Sequence, residues 1–159
     1  MSDARFEDGA DAPLRLKAES GEDVPVVAAL LQDAVLPSSE ISWMPRRRSF
    51  AALVNRFRWE DKEAADAAGR PYERTRAMLV IDSVIRVAAS GVDPRDKDLV
   101  LSILDLAYEP GEDGSGRLRL ILAGDGEIAI DVECVDLRLA DVTRPYRAPS
   151  GKAPAHRAD

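Results

Sequence analysis

Alternating and helical periods in the first part of the chain predict one strand followed by one helix. Residues 14–19 alternate apolar and polar side chains, which is the period of a half-buried strand. Asp23 is suited to cap a helix with Pro25 in its first turn, and Pro37 prevents that helix from continuing. Between them, apolar residues recur three and four positions apart and form one stripe: Val27, Leu30, Leu31, Ala34 and Val35.

The rest of the chain has mainly the two-residue period of β-strands. The predicted strands cover residues 41–44, 49–59, 75–81, 84–89, 99–108, 117–123 and 127–132. Turn sequences at residues 45–48, 82–83 and 124–126 predict hairpins between consecutive strands. Strand 49–59 is apolar on both faces in its centre, so we expect a central position in the sheet. Residues 60–73 are charged and alanine-rich, which predicts an exposed loop with room for one helical turn.

Residues 133–142 fit two kinds of element, because the alternation breaks phase at Cys134. The helical set is Val132, Val135, Leu139 and Val142, and the strand set is Val135, Leu137 and Leu139. We favour a short closing helix. Since short links join consecutive strands, their pairing must be antiparallel.

The predicted class is therefore α+β, with a mainly antiparallel sheet of about seven strands. This sheet is curled or forms a partly open barrel, and it carries one helix in the N-terminal half and the short closing helix. A pleckstrin-homology-like barrel suits this number of strands by analogy.

Composition is that of an ordinary folded protein of one domain. The 159 residues are 45% apolar and 32% charged, and no apolar run approaches the roughly 18 residues of a membrane span. Residues 1–12 are acidic and lack the pattern of a secretory signal, so we expect a disordered N-terminus and a cytoplasmic location. Residues 143–159 are basic and hold three prolines, which predicts a mobile tail after one domain over residues 13–142.

Charge and residue content argue against several kinds of site. A net charge of −7 disfavours nucleic acid and anionic membranes as partners. Cys134, the only cysteine, is expected to be a small buried residue and forms no disulfide within the chain. His156, the only histidine, lies in the predicted tail without the rigid setting that catalysis needs. Nucleotide-binding and zinc-protease motifs are not found, so we predict no cofactor and no metal.

Acidic residues offer two further kinds of chemistry. Asp131 and Glu133 share a strand face near Glu127, which is typical of a solvated face but also compatible with a hard-cation site. A carboxylate-based enzyme would use a residue such as Asp82 or Asp131, and it would need a raised pKa in a closed cleft. The pattern by itself favours a protein that is not an enzyme.

One basic stretch stands out in this acidic chain. Its five arginines have no acid between them: Arg46, Arg47, Arg48, Arg56 and Arg58. Arginine beside apolar and aromatic surface is typical of a recognition patch, so these residues, with Trp43 and Trp59, form the candidate binding site. The alternative is that the arginines pair with nearby acids, which are Glu60, Asp61, Glu63 and Glu73. The tryptophans would then pack in the core.

Four segments carry a resemblance to a known family. They are LLQDAV at residues 30–35, NRFRWE at 55–60, ERTRAMLVIDSVIRV at 73–87 and PAH at 154–156. Together they resemble an uncharacterised bacterial family, the domain-of-unknown-function family 2948, over residues 14–156. The resemblance implies a small single-domain bacterial protein and carries no catalytic residue with it.

Three functions remain open on the sequence. The first is a non-enzymatic binding or adaptor module that holds a partner protein with an acidic surface through the arginine-rich hairpin. The second is a domain that binds a small anionic molecule in a pocket between helix and sheet, near Trp43 and Trp59. The third is the carboxylate-based enzyme. A free sheet edge would also permit a homodimer.

Overall fold

Strands dominate the computed structural model, which describes residues 13–93, 95–149 and 151–154. Within these residues there are eleven strands and two α-helices. In chain order they are β1 (Arg15–Ala18), α1 (Val24–Leu31), β2 (Val35–Pro37), β3 (Ile41–Met44), β4 (Ser49–Phe57), α2 (Lys62–Ala68), β5 (Glu73–Ile81), β6 (Val84–Ser90), β7 (Val100–Pro110), β8 (Gly116–Leu122), β9 (Gly126–Val132), β10 (Leu137–Asp141) and β11 (Tyr146–Arg147). Short 3-10 turns precede α1, β3 and α2.

The strands of the described residues form one open sheet, and the neighbouring strands run antiparallel. Its order is β1-β10-β5-β4-β2-β7-β8-β9-β6, while β3 also pairs with β4 and β11 also pairs with β5. The predicted α+β class and antiparallel pairing are confirmed, but this part of the chain has eleven strands and not about seven. Some strands are very short, since β2 has 3 residues and β11 has 2. So few residues show no recognisable period.

The hairpins β3–β4 and β8–β9 form as predicted, but the hairpin expected between β5 and β6 is wrong. β5 lies between β4 and β10, and β6 pairs with β9. At the junction Ser83 has a φ of 58°. The backbone N–H groups of Asp82 and Val84 donate to the carbonyls of Asp136 and Arg48. These bonds direct the chain from one half of the sheet to the other, so β6 does not fold back on β5.

The closing segment is a strand, so the favoured helix over residues 133–142 is wrong. β10 lies between β1 and β5, with Leu137 and Leu139 buried and Arg138 exposed. The two-residue period prevails because only an extended segment can satisfy the backbone groups of both flanking strands. Cys134, expected to be buried, is exposed in the turn between β9 and β10.

α1 is shorter than the apolar stripe predicts, because the backbone after Leu31 forms hydrogen bonds with β7 instead of continuing the helix. Asp33 has a left-handed φ of 63°, and its N–H donates to the carbonyl of Ile103 at 2.8 Å. Ile103 in turn donates to the carbonyl of Ala34 at 2.8 Å, and the chain continues as β2. The helical turn expected within residues 60–73 is present as α2, which ends at Gly69 with a φ of 65°.

The core lies between α1 and the inner face of the sheet. α1 buries Val24, Val27, Ala28 and Leu31 against it. β4 is buried on its inner face and half-buried on the other, and it pairs with β5 on one side and with β2 and β3 on the other. The predicted central position of this strand is therefore confirmed.

The segment after residue 142 begins as part of the sheet. β11 places Tyr146 opposite Arg74 of β5, and Ala148 is buried. The hydroxyl of Thr75 donates to the carbonyl of Thr143 at 3.0 Å. The disorder predicted for residues 1–12 lies outside the described residues. Of the tail predicted to be mobile over residues 143–159, residues 150 and 155–159 also lie outside them. None of the described helices has the length and apolar character needed to cross a membrane.

Candidate functional site

Arg56 lies inside the protein, because its position on β4 shares the inner face with Phe50 and Val54. Its Nε and Nη2 donate to the two carboxylate oxygens of Asp141, both at 3.0 Å. Its Nη1 and Nη2 also donate to Glu60, at 2.8 and 2.7 Å. Burial alone would raise the pKa of Glu60, but the hydrogen bonds and charge of Arg56 outweigh burial and hold that pKa below its usual value.

Arg58 is also buried among acids. Its Nη1 lies 2.5 Å from Glu73 and 3.7 Å from Asp61. Asp61 also accepts two hydrogen bonds of 3.1 Å from Arg70. Two of the five candidate arginines thus pair with the acids that the alternative interpretation names, and their charges are neutralised within the protein.

The remaining arginines lie in the turn between β3 and β4, at the opposite end of β4. Arg48 pairs with Glu133 at 2.5 Å. Arg46 and Arg47 are exposed, and no ion pair within 4.0 Å involves either one among the residues that the structure describes. The structure therefore does not bring the five arginines onto one surface.

The two candidate tryptophans lie far apart. Trp43 is opposite Phe50 and packs against the core. Trp59 follows the other end of β4. That end, at Phe57, lies about 23 Å along the strand from Phe50, by the rise per residue of a β-strand. Its indole N–H donates to the carbonyl of Gln32 at 2.9 Å, and its ring meets Phe57 edge-on with centroids 4.6 Å apart. The two rings do not line a shared pocket.

A surface that the sequence analysis missed crosses five strands on the outer side of the sheet. Opposite residues of an antiparallel pair point to the same face, so the register identifies its members. We define the outer face by its exposed and half-buried strand residues: Arg15, Lys17, Val35, Pro37, Ala51, Leu53, Asn55, Arg74, Arg76, Met78, Val80, Arg138 and Ala140. Five of these described residues are basic and none is acidic.

The basic side chains of the outer face surround an apolar centre. Leu53, Met78 and Ala140 are consecutive neighbours across three strands. The acids that reach this face do so from its rim, where Glu19 pairs with Lys17 at 3.0 Å and Asp82 pairs with Arg138 at 3.1 Å. In the described parts of the chain, no ion pair within 4.0 Å involves Arg15, Arg74 or Arg76.

The outer side of β8 and β9 has the opposite character, because its charges are matched. Arg117 donates to Asp131 at 2.7 and 3.3 Å, and Arg119 donates to Glu127 at 3.0 and 2.5 Å. The hydrogen bond from Arg117 holds the pKa of Asp131 below its usual value. Asp131 is therefore an ionised partner of an arginine, which differs from the raised pKa that a carboxylate-based acid catalyst would need.

Potential metal ligands do not converge in the described chain. Asp131, Glu127 and Glu133, weighed above as a cation site, each pair with an arginine. No group of three or more His, Cys, Asp or Glu side chains within residues 13–93, 95–149 and 151–154 is placed to hold a metal ion. His156 lies outside these residues.

A groove of about 600 Å³ lies between α1 and β7, where a pocket between helix and sheet was expected. Its walls include Val24, Ala28, Leu104 and Tyr108, and Asp105 is its charged residue. Neither Trp43 nor Trp59 lines it, and no basic side chain does among the described residues. An anionic ligand would gain no charge pairing there.

A smaller cavity of about 170 Å³ opens at one end of the outer face. Its polar lining residues are Asn55 and Arg76. The apolar lining is Val35, Leu36, Pro37, Leu53, Val54 and Val100.

Comparison with known protein families shows one match. The family model described as "Protein of unknown function (DUF2948)" matches residues 14–156 of the chain. The chain belongs to the DUF2948 family. This confirms the family inferred from the four sequence segments, while no curated protein and no solved structure matches the chain.

The outer face of this DUF2948 chain has a weak sequence signal. Arg15 and Lys17 flank Leu16, and Arg74 and Arg76 flank Thr75, so each pair shows a basic residue at alternate positions. The alternation indicates that each pair shares one face of a strand. It does not indicate that the two strands lie in one half-sheet, separated by β10 alone.

Proposed function

We propose that the protein is a binding module that holds a partner protein with an acidic surface. The contact surface is the outer face, extended at one end by Arg46 and Arg47 of the β3–β4 turn. The observation that carries the proposal is the charge segregation on this face. Its described strand positions hold five basic residues and no acidic residue in a chain of net charge −7.

The composition of the outer face supports a protein partner. Met78, Val80 and Leu53 are half-buried in the isolated chain and can lose further contact with water on docking. Methionine, arginine and aliphatic side chains are common in the centres of protein interfaces. The surrounding basic groups would attract a partner's carboxylates and accelerate encounter at low ionic strength.

The position of the β3–β4 turn supports its inclusion in this surface. The carbonyl of Arg48 accepts a hydrogen bond from the N–H of Val84, at 2.8 Å. Asp82, two residues earlier in the chain, pairs with Arg138 of the outer face. The turn and the Arg138 end of the outer face therefore meet at the same short segment.

Three variants with equal changes in charge test the proposal. Arg15→Gln/Arg138→Gln removes two charges from the outer face, and Arg46→Gln/Arg47→Gln removes two from the turn. Arg86→Gln/Arg119→Gln removes two charges from the other half of the sheet and is the matched control. The two arginine side chains are 68% and 40% exposed, so the loss of their pairs with Asp131, Glu109 and Glu127 costs little stability.

Binding to fluorescent poly-L-glutamate at low salt provides the direct readout, and capture from an extract of the native cells identifies the partner. We expect the outer-face variant to raise the dissociation constant at least about tenfold and to release an acidic partner that the control retains. Equal binding by the outer-face variant and the control would contradict the proposal. Tighter binding of a single-stranded oligonucleotide than of poly-L-glutamate would also contradict it, in favour of nucleic acid.

A further inference from the structure

At the β11 end of the outer face, the side chains of Arg74, Asn55 and Tyr146 form a hydrogen-bonded group. Arg74 Nε donates to Asn55 Oδ1 at 2.7 Å, and Arg74 Nη2 donates to the Asn55 carbonyl at 3.0 Å. Asn55 Nδ2 donates to the hydroxyl of Tyr146. Since that hydroxyl accepts a bond from Asn55, its own hydrogen remains available to donate to a ligand. Asn55 thus orients one guanidinium and one hydroxyl toward the same surface.

The positive charge of this group forms no direct ion pair with a carboxylate among the described residues. Arg74 and Arg76 lie two positions apart on one face of β5, so their Cα atoms are about 7 Å apart. Arg56 on the neighbouring strand and Arg58 just after it each have acidic partners, but across the described residues neither Arg74 nor Arg76 has one within 4.0 Å. Burial lowers the pKa of Arg74 and outweighs the opposing influence of Tyr146 and Asp33, as expected for a partly desolvated guanidinium that has no carboxylate in direct contact.

The cavity of about 170 Å³ adjoins this group through Asn55 and Arg76. The rest of its lining is apolar, with Val35, Leu53 and Val100 among the residues. A protein cavity of about 150 Å³ is large enough for a benzene ring, so this one has room for a single aliphatic side chain. A ligand that contacts the two arginines and also fills the cavity would carry a carboxylate beside a branched apolar group.

We propose that Arg74, Arg76, Tyr146 and the adjoining cavity form an anchor site for an acidic protein segment that presents a carboxylate next to an aliphatic side chain. The carboxylate accepts hydrogen bonds from the guanidinium groups and the tyrosine hydroxyl, and the aliphatic side chain enters the cavity. This inference rests on the proposed function and names the segment that the outer face recognises. It does not depend on Arg15 or Arg138, which lie toward the other edge of the sheet.

The test is an NMR titration of the folded, uniformly labelled protein with a short blocked peptide in which leucine and glutamate alternate. The matched probe has glutamine at each glutamate position. We expect the glutamate peptide to shift the amide signals of Val35, Asn55 and Arg76, and to bind at least about tenfold more tightly than the glutamine peptide. Equal binding of the two peptides would overturn the proposal.

Variants of Arg74 and Arg76 test the anchor site directly. Arg76→Gln changes an exposed side chain and should weaken binding of the glutamate peptide about tenfold. Arg74→Lys keeps the charge of a partly buried residue but removes its fork of donors, so it should also weaken binding without loss of fold. Arg86→Gln, on the other half of the sheet, is the control, and an equal loss there would overturn the anchor site.

Two further outcomes distinguish this inference from the proposed function. If 4-methylpentanoate binds as tightly as the peptide, the site accepts a free small acid and the peptide anchor is overturned. If poly-L-glutamate binding depends on Arg15 and Arg138 while the peptide does not bind, the proposed function stands and the anchor is wrong. If the peptide binds at Arg76 while the Arg15→Gln/Arg138→Gln variant behaves like its control, the anchor stands and the wider surface is wrong.

Discussion

Arg56 and Asp141 face each other through two parallel hydrogen bonds of 3.0 Å, with side chains that are 0% and 2% exposed. Asp141 also accepts the backbone N–H of Leu14 at 2.8 Å. One carboxylate therefore joins the end of β10 to β4 and to the residue before β1. These bonds satisfy the buried polar groups of Arg56 and Asp141, which lie at one end of the inner face.

Replacement of Asp141 should strongly lower the free energy of unfolding. Asp141→Ala leaves the buried guanidinium of Arg56 with Glu60 as its acidic partner and leaves the N–H of Leu14 without an acceptor. We expect a loss of about 3 kcal/mol in the free energy of unfolding, measured by urea denaturation. Asp82→Ala, which removes an exposed ion pair with Arg138, should cost no more than about 1 kcal/mol. A similar loss in both variants would show that Asp141 acts only as a surface charge.

Stability should fall in acid because of Glu60. Arg56 lowers the pKa of this group in the folded protein from an ordinary value of 4.5. A lowered folded pKa means that the contribution to stability is complete above the unfolded pKa and is lost as the pH falls through the folded value. Unfolding free energies measured by urea denaturation from neutral pH to below 4.5 should therefore decline more steeply in the wild type than in Glu60→Gln. Identical slopes would rule out this contribution.

Tyr108 should make two glycines sensitive to substitution for different reasons. A Cβ at Gly21 would lie 2.7 Å from the Tyr108 ring, and a Cβ at Gly116 would lie 2.5 Å from that ring and 2.6 Å from the carbonyl of Glu109. We expect each change to alanine to cost about 1–3 kcal/mol in thermal or urea unfolding.

The two costs should respond differently to Tyr108→Ala. In that background the cost of Gly21→Ala should disappear, because its close contacts are with the tyrosine ring. The cost of Gly116→Ala should persist, because the carbonyl of Glu109 remains in place. Full rescue of both glycine variants would mean that the backbone at Glu109 moves freely.

Cys134 should react readily in the folded protein, because the structure places it in the exposed turn before β10. A thiol reagent should modify the native protein at nearly the rate seen in urea. Val135→Cys in a Cys134→Ser background supplies the contrast, since position 135 is buried and its thiol should be protected. Slow modification of native Cys134 would indicate a buried thiol and a different turn.

Local patterns in the sequence were sufficient for the elements whose faces differ clearly in polarity. The alternation in β8 and β9, the turn at Asp125 and the position of Pro25 predict strands, a hairpin and a helix start that the structure contains. The segment at residues 133–142 fits both the helical period and the two-residue period of a strand, and the choice between them depends on pairing with β1 and β5. Its neighbours in space, and not its own residues, make it a strand.

For the candidate site too, the sequence determined one part and the tertiary structure decided the other. The sequence determined that Arg56 shares a strand face with Phe50 and Val54, and hence that these side chains point the same way. Only the tertiary structure decided that this face is the inner one and that Asp141, 85 residues away, lies opposite the guanidinium. The outer face likewise depends on the register of distant segments. Burial and ion pairing are set by which strands become neighbours, and that information does not lie within any one of them.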